Sequence, residues 1–232
     1  MQKIHNQMNE TMDPDEIAEN RIDSSPASGL PSWSLRTDHR TNGVSGKIVE
    51  RPQAIHPVVS LSRAINSDDH ILGGESAAVT LLMYGAYECP FCVEGNKTVK
   101  RIREHFSERL RFVFRHFPRT SVHPHAEAAA EVAEAAGEQG RFWEMHDTLF
   151  ENYNRLDGEH LFTYARNLNL DMERFDRAMT GRVFAERVRT DLISGIESGV
   201  KGTPTYFING GKHSGSGRFE TLVEAIESNI VR

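Results

Sequence analysis

Cysteine is scarce in this chain of 232 residues, which has only Cys89 and Cys92, both within the stretch YECPFC. The chain also lacks any run of about 18 consecutive apolar residues, the length that a membrane-spanning helix needs. It has no surplus of basic residues, since its formal net charge is −6. Without such an apolar run, we expect no membrane insertion. We also expect no nucleic-acid partner, because nucleic acids and anionic membrane surfaces attract basic proteins.

A secretory signal pattern is also missing from the first residues, MQKIHNQMNETMDPDEIAEN, where no charged segment precedes an apolar one. The expected location is therefore the cytoplasm, unless the protein has another start site or export route. Thiols are normally kept reduced there, so a permanent disulfide is not expected. A bridge across a two-residue gap would also close too small a loop to stabilise the fold much.

Aromatic residues are almost absent before residue 67, since only Trp33 of the 19 aromatic residues in the chain lies there. Five of the nine prolines lie in the same segment. Such a segment cannot bury much apolar surface. We predict that residues 1–66 form a mostly disordered arm, with a short helix around residues 15–22 and an extended piece at residues 58–61.

A strand, helix, strand unit follows the arm. The stretch VTLLMYGA predicts a strand that is buried on both faces, and LRFVFRHF predicts a second one. Between them, Val99, Ile102 and Phe106 form one stripe of a helix that accepts Pro90 in its first turn. The two cysteines lie at the turn between the first strand and this helix.

The remainder reads as helices, then a hairpin and a last helix. Spacings of three and four predict a helical layer at about residues 122–199, with Asp171 capping one of its helices. TPTYFING predicts a strand, Gly210 and Gly211 a turn, and residues 212–214 a return strand. The apolar stripe of the last helix consists of Phe219, Leu222, Val223, Ile226 and Ile230. The predicted class is α/β.

The CxxC spacing allows two kinds of chemistry. At a helix N-terminus, free N–H groups favour the thiolate of Cys89, the species that attacks a disulfide, and Cys92 can then resolve the mixed disulfide. We expect Cys89 to be the exposed member of the pair. Alternatively, a CxxC can be half of a zinc site, completed by His116, His123 and His125. The absence of a second CxxC and the βαβ context favour redox chemistry.

The sequence resembles the DsbA-like thiol:disulfide oxidoreductases of the thioredoxin superfamily. The motifs are ECPFC, RFVFRHFP, HPHAEAAAEVAEAAGEQGRFWEMHDTLF and GVKGTPTYFING. The resemblance implies a thioredoxin domain at residues 67–232 with a helical insertion at about 122–199. It implies that Cys89 is the nucleophile, Cys92 the resolving cysteine and Pro204 a cis-proline. Thr203 would pair through its backbone with an extended substrate chain, and no metal or organic cofactor would be used.

Several positions depart from the pattern of these proteins. Relatives often carry acidic residues where this chain has Met83 and Ala86, and a buried carboxylate there assists proton transfer at the resolving cysteine. Phe91 stands where strongly oxidising relatives often have histidine, and we expect it to offer client proteins an apolar contact. Glu88 adds a charge that opposes thiolate formation. The expected pKa of Cys89 is about one to two units below the usual ~8.5.

The sequence thus predicts a thiol:disulfide oxidoreductase that acts on client proteins or low-molecular-weight thiols and works more as a reductant than as a strong oxidant. One alternative is a redox-sensing or regulatory binding module, since similar domains occur fused behind ion antiporters. Another is a glutathione-dependent isomerase or transferase, but such enzymes generally replace the CxxC by a single serine or cysteine. Nothing in the sequence indicates an oligomeric state.

Overall fold

The computed structural model describes residues 59–230. The helix predicted around residues 15–22 and the first residue of the extended piece predicted at 58–61 lie outside the described residues. Within 59–230, no helix combines the length and the apolar character that crossing a bilayer requires.

A five-stranded mixed sheet lies at the centre of this region, in the order β1-β3-β2-β4-β5. Strands β2 and β3 run parallel, and the other neighbouring strands are antiparallel. The strands are β1 (His70–Leu72), β2 (Val79–Gly85), β3 (Leu110–His116), β4 (Thr205–Ile208) and β5 (Gly211–Lys212). The predicted parallel pair is therefore present, and β2, which leads to the cysteines, is the middle strand.

Helices cover both faces of the sheet. Helix α1 (Pro90–Phe106) packs on one face through Val99, Ile102 and Phe106, as predicted, and each side chain is at most 1% exposed. Full burial of a large apolar side chain contributes about 1.5–3 kcal/mol, so this stripe fixes α1 firmly against the sheet. Helix α7 (Phe219–Ile230) lies beside α1 on the same face.

Five helices form the insertion between β3 and β4, and they confirm the predicted helical layer. They are α2 (Ala126–Gly137), α3 (Phe142–Glu151), α4 (Gly158–Asn167), α5 (Met172–Thr180) and α6 (Ala185–Glu197). Asp171 caps α5, since its carboxylate accepts hydrogen bonds from the backbone N–H groups of Glu173 and Arg174. Leu192 of α6 packs on the sheet face opposite α1.

The hairpin between β4 and β5 differs from the prediction by one residue. Its turn residues are Asn209 and Gly210, both with positive φ, whereas Gly211 already belongs to β5. Asn-Gly is the pair that tolerates two left-handed residues in a tight hairpin, so the turn forms one position earlier than predicted. The return strand accordingly ends at Lys212 and not at residue 214.

Two features of the first described residues were missed from the sequence. Strand β1 is only three residues long and pairs with β3. Residues 59–65, assigned to the arm, lie on the domain: the Leu61 N–H donates to the Gly210 carbonyl, and the Ser62 N–H donates to Ser198 Oγ. Strand β1 is too short to show a strand period, whereas Leu61 and Ile65, which pack against the core, are the apolar signal that could have placed residues 59–65 on the domain.

Next to β1, a buried ion pair joins two parts of the chain. Arg115 of β3 is 0% exposed and donates from Nε and a terminal nitrogen to the two carboxylate oxygens of Asp69, at 2.7 and 2.8 Å. Such bidentate pairs are both strong and directional. This contact holds the start of the described chain against the sheet.

Candidate active site

The two cysteines lie where β2 ends and α1 begins. Cys89 is the N-cap residue of α1, and Pro90 occupies the first helical turn, where a missing N–H costs nothing. Cys92 lies in the same turn, and its N–H donates to the Cys89 carbonyl at 2.9 Å. Both side chains are free thiols. The CxxC is therefore at a helix N-terminus, as the sequence predicted.

Both cysteines are covered, which corrects the expectation that Cys89 is exposed. Cys89 is 3% exposed and Cys92 is 0% exposed. Residues just before β4 provide part of the cover, since Cys89 Sγ lies 3.6 Å from the Thr203 carbonyl oxygen. The Thr203–Pro204 peptide bond is cis. The structure thus places Thr203 and Pro204 against the CxxC, although they are over 100 residues away in sequence.

The pKa of Cys89 is lowered from 9.0 to about 5, further than the sequence led us to expect. The largest cause is the hydrogen bond that the Cys92 thiol donates to the Cys89 thiolate. Burial opposes the shift, whereas the Thr203 side chain and the backbone N–H groups of Cys92 and Phe91 add to it. The helix N-terminus therefore acts together with two side-chain donors, and Cys89 is a thiolate at neutral pH.

Cys92 has the opposite character. Burial, followed by the interaction with Cys89, raises its pKa well above 9.0. The backbone N–H of Ala86 donates to its sulfur at 3.4 Å. One thiolate and one protonated thiol therefore lie side by side at the start of α1.

The Glu88 carboxylate, predicted to act on Cys89, contacts His125. The carboxylate pairs with the His125 ring nitrogen Nδ1 at 2.8 Å and accepts a hydrogen bond from the His125 backbone N–H at 2.7 Å. His125 is the N-cap residue of α2, so Glu88 supplies the carboxylate that this helix start favours. The main interactions that lower the pKa of Cys89 come from Cys92, Thr203 and Phe91. The role of Glu88 is to join the CxxC turn to the insertion.

The positions where relatives often carry carboxylates hold apolar residues near Cys92. Met83 is 0% exposed in β2, and Ala86 is 3% exposed. Glu94 does not take over their role, because its carboxylate is 72% exposed and pairs with Lys97. None of Met83, Ala86 and Glu94 therefore places a carboxylate beside the Cys92 thiol.

An open cleft lies next to the pair. It has a volume of about 660 Å³, and its lining includes Phe91, Thr203 and Pro204. Phe91 is 74% exposed, which makes it one of the few large apolar side chains on the described surface. The cleft wall also carries three basic residues that the sequence did not single out: Arg101, Lys212 and Arg218.

The histidines weighed as zinc ligands do not meet the cysteines. His125 pairs with Glu88, whereas His116 is buried and its Nε2 lies 3.0 Å from Glu134 Oε1. In residues 59–230, one group has the spacing of metal ligands, formed by His70, His116 and Glu134. Hydrogen bonds between the imidazoles and the carboxylate account for this geometry. Arg187 also lies 3.8 Å from Glu134 Oε1, where its charge opposes a bound cation.

A comparison with known families agrees with this arrangement, since a family model described as thioredoxin matches residues 66–228. The chain belongs to the thioredoxin family. Several curated relatives of this thioredoxin-family chain are named Na(+)/H(+) antiporter NhaA. Residues of this chain are 42% identical over 172 residues to NhaA 1 of Salinispora arenicola and 37% identical over 183 residues to NhaA of Herminiimonas arsenicoxydans.

These matches cover 74% and 79% of this chain but only 26% and 28% of the relatives. The chain thus spans about a quarter of the length of the curated relatives that it matches. The antiporter names describe those longer proteins.

Solved structures share the fold over nearly their full length. Oxidised BdbD from Bacillus subtilis aligns with a TM-score of 0.66 at 23% identity, covering 75% of this chain and 99% of BdbD. A thioredoxin-like oxidoreductase from Silicibacter pomeroyi gives 0.65 at 22% identity, covering 72% and 95%. Wolbachia pipientis alpha-DsbA1 gives 0.62 at 19% identity, covering 72% and 93%. The thioredoxin fold predicted from the sequence is confirmed, and the predicted resemblance to DsbA-like proteins holds at the level of the fold.

Proposed function

We propose that this protein is a thiol:disulfide oxidoreductase that exchanges disulfides through Cys89 and Cys92. The observation that carries the proposal is the pairing of a thiolate with a protonated, buried thiol at one helix N-terminus: the pKa of Cys89 is lowered to about 5 and that of Cys92 is raised. Perturbed pKa values of this kind are typical of reactive sites.

The reaction has two steps. In the first, the Cys89 thiolate attacks one sulfur of a substrate disulfide, forms a mixed disulfide and releases the other sulfur as a thiolate. In the second, Cys92 loses its proton and attacks Cys89 Sγ, which closes the Cys89–Cys92 disulfide and releases the second substrate thiolate. The substrate gains two electrons and two protons, one from Cys92 and one from solvent. Each step also runs in reverse, so a reduced client can be oxidised.

Client binding is proposed at the cleft beside Cys89. The backbone of Thr203 and Pro204 precedes β4 and offers a polar edge to an extended peptide. Phe91, which lines the same cleft, adds an exposed apolar contact. Both features suit protein clients, and the open cleft also admits a low-molecular-weight thiol. The reaction would need no metal or organic cofactor.

The direction of exchange depends on the reduction potential. The sequence favours a mild, reducing couple in the cytoplasm. The low pKa of Cys89 argues for a more oxidising couple than the sequence suggests, because stabilising the thiolate stabilises the reduced form. Equilibration with glutathione buffers decides the direction: a potential near that of the cytosolic glutathione pool or below it supports reduction, and one far above it supports oxidation.

Catalytic turnover tests the proposal. Wild-type protein should accelerate the reduction of a peptide disulfide by a small dithiol, and Cys89→Ser should abolish the acceleration. A matched control carries one ordinary cysteine away from the CxxC, namely Ser228→Cys in the Cys89→Ser/Cys92→Ser background. Residue 228 suits this purpose because it is exposed on α7. Equal acceleration by wild type and this control would show that the CxxC has no special role.

A regulatory module is the second candidate. It is favoured by the sequence identity to part of the proteins named as antiporters. Such a module would keep its function without disulfide exchange. Growth of the host in high sodium and alkaline medium is the test. If the Cys89→Ser/Cys92→Ser variant supports this growth as well as the wild type does, disulfide exchange is dispensable and the module is the better description.

A further inference from the structure

Tyr206 in β4 has a buried hydroxyl group with no hydrogen-bond partner among the described residues. The residue is 4% exposed. Buried polar groups in folded proteins are almost always paired, because an unpaired one costs stability. An orphaned hydroxyl therefore calls for an explanation, and phenylalanine would serve better if Tyr206 only filled space.

The hydroxyl lies under the first turns of α1. A Cβ atom added to Gly95 would be 2.6 Å from Tyr206 Oη, so the hydroxyl fills the space that a side chain at Gly95 would take. Gly95 follows Cys92 by three residues in the helix. Side chains with that spacing share one face, about 5–6 Å apart. Tyr206 Oη thus lies beside the face of α1 that also carries Cys92.

The sheet register relates Tyr206 to the missing carboxylate. Tyr206 pairs directly with Met83 across β2 and β4. The Met83 methyl carbon and Tyr206 Oη approach the same Gly95 position, at 3.4 and 2.6 Å. Tyr206 therefore brings a polar group close to the place where Met83 provides none. In addition to burial, the negative charge of Cys92 raises the pKa of Tyr206, which agrees with this proximity.

We propose that the Tyr206 hydroxyl stabilises the thiolate of Cys92 while this cysteine resolves the mixed disulfide. The inference rests on the proposed exchange function. When Cys92 loses its proton, a small shift of the Tyr206 side chain would let its O–H donate to the new thiolate. Tyr206 keeps its own proton throughout, so the step transfers no electron or proton to it. The sulfur of Cys92 then bonds to Cys89 Sγ, and the client thiolate leaves.

The size and pH dependence of the effect follow from general thiol chemistry. Loss of one hydrogen bond to a charged group is expected to lower the thiolate fraction of Cys92 about tenfold below its pKa. The remaining thiolate would be more basic and, with a Brønsted slope of about 0.5, about threefold more nucleophilic. Resolution should therefore slow about threefold near neutral pH, and the difference should shrink as the pH approaches the pKa of Cys92.

Stopped-flow kinetics with a coloured aromatic disulfide, dithiobis(nitrobenzoate), separates the two steps. Attack by Cys89 releases the first nitrobenzene thiolate at a rate that depends on reagent concentration, and resolution by Cys92 releases the second at a rate that does not. Tyr206→Phe should leave the first phase unchanged, slow the second about threefold at neutral pH and move its pH midpoint upward. Gly95→Ala, which displaces the hydroxyl, should change the second phase in the same direction.

Tyr164→Phe is the matched control, because Tyr164 Oη donates to the Arg155 carbonyl in the insertion, away from the cysteines. It should leave both phases unchanged. A second phase in Tyr206→Phe that equals the wild type at every pH, or is slower by one constant factor at every pH, would overturn the inference and leave the proposed function intact. Absence of any second phase in the wild type would instead overturn the proposed function.

Discussion

The pKa of Cys89 should depend on its neighbour in the pair. Replacing Cys92 by alanine removes the thiol that donates to the Cys89 thiolate, the largest of the interactions that lower this pKa. Replacing it by serine keeps a donor at the same position. The two variants therefore differ mainly in one hydrogen bond, and each leaves Cys89 as the only cysteine of the chain.

The expected size follows from the energy of a hydrogen bond to a charged group. Such a bond contributes about 1.5–3 kcal/mol, and 1.36 kcal/mol corresponds to one pKa unit, so its loss should raise the pKa by about one to two units. The wild-type value of about 5 would thus become about 6 to 7 in Cys92→Ala. Thr203 and the helix N–H groups remain and keep the pKa below 9.0.

The rate of alkylation by iodoacetamide, measured against pH, reports the thiolate fraction directly. Ultraviolet thiolate absorbance gives a second measure of the same titration. Cys92→Ala should titrate above Cys92→Ser. A pKa that stays near 5 in Cys92→Ala would refute the reasoning, because the backbone and Thr203 would then account for the whole shift.

Three further changes test other parts of the structure. Thr203→Val removes a hydroxyl that lowers the pKa of Cys89, so this pKa should rise, whereas Thr203→Ser should leave it unchanged. Alkylation rates measured against pH distinguish the two variants. Glu88→Gln should leave the pKa of Cys89 unchanged in the same assay but lower the urea midpoint of unfolding, and a lowered pKa would restore the sequence-based prediction. Asp69→Asn weakens the buried pair with Arg115 and should destabilise the fold by up to about 3–5 kcal/mol in urea titrations; a change below about 0.5 kcal/mol would contradict a structural role for this pair.

Much of the fold could be predicted because periodicity is a local property. The apolar run of β2 and the three-and-four spacing in α1 and α7 each lie within one stretch of sequence, and the observed elements match them. The CxxC could be placed for the same reason, since it lies between β2 and α1. Strand β1 could not be predicted, because three residues are too few to show a strand period.

The electrostatics of the site depend on pairs that are distant in sequence. Glu88 pairs with His125, which is 37 positions away in the sequence. Because the sequence does not reveal this contact, it predicts that the charge of Glu88 acts on the neighbouring Cys89. The Thr203 side chain reaches the sulfurs only after β4 has joined β2. Helix-terminus reasoning alone therefore underestimated how far the pKa of Cys89 is lowered. Such contacts follow from tertiary packing, which a local sequence pattern does not reveal.

Trapping of mixed disulfides tests the central claim most directly, namely that Cys89 attacks and Cys92 resolves. Each single serine variant is incubated with an oxidised peptide and examined by intact-protein mass spectrometry. The account predicts that Cys92→Ser accumulates a one-to-one adduct at Cys89, that Cys89→Ser forms none, and that the wild type ends with a Cys89–Cys92 disulfide. Equal trapping by both variants, or trapping by Cys89→Ser alone, would contradict it.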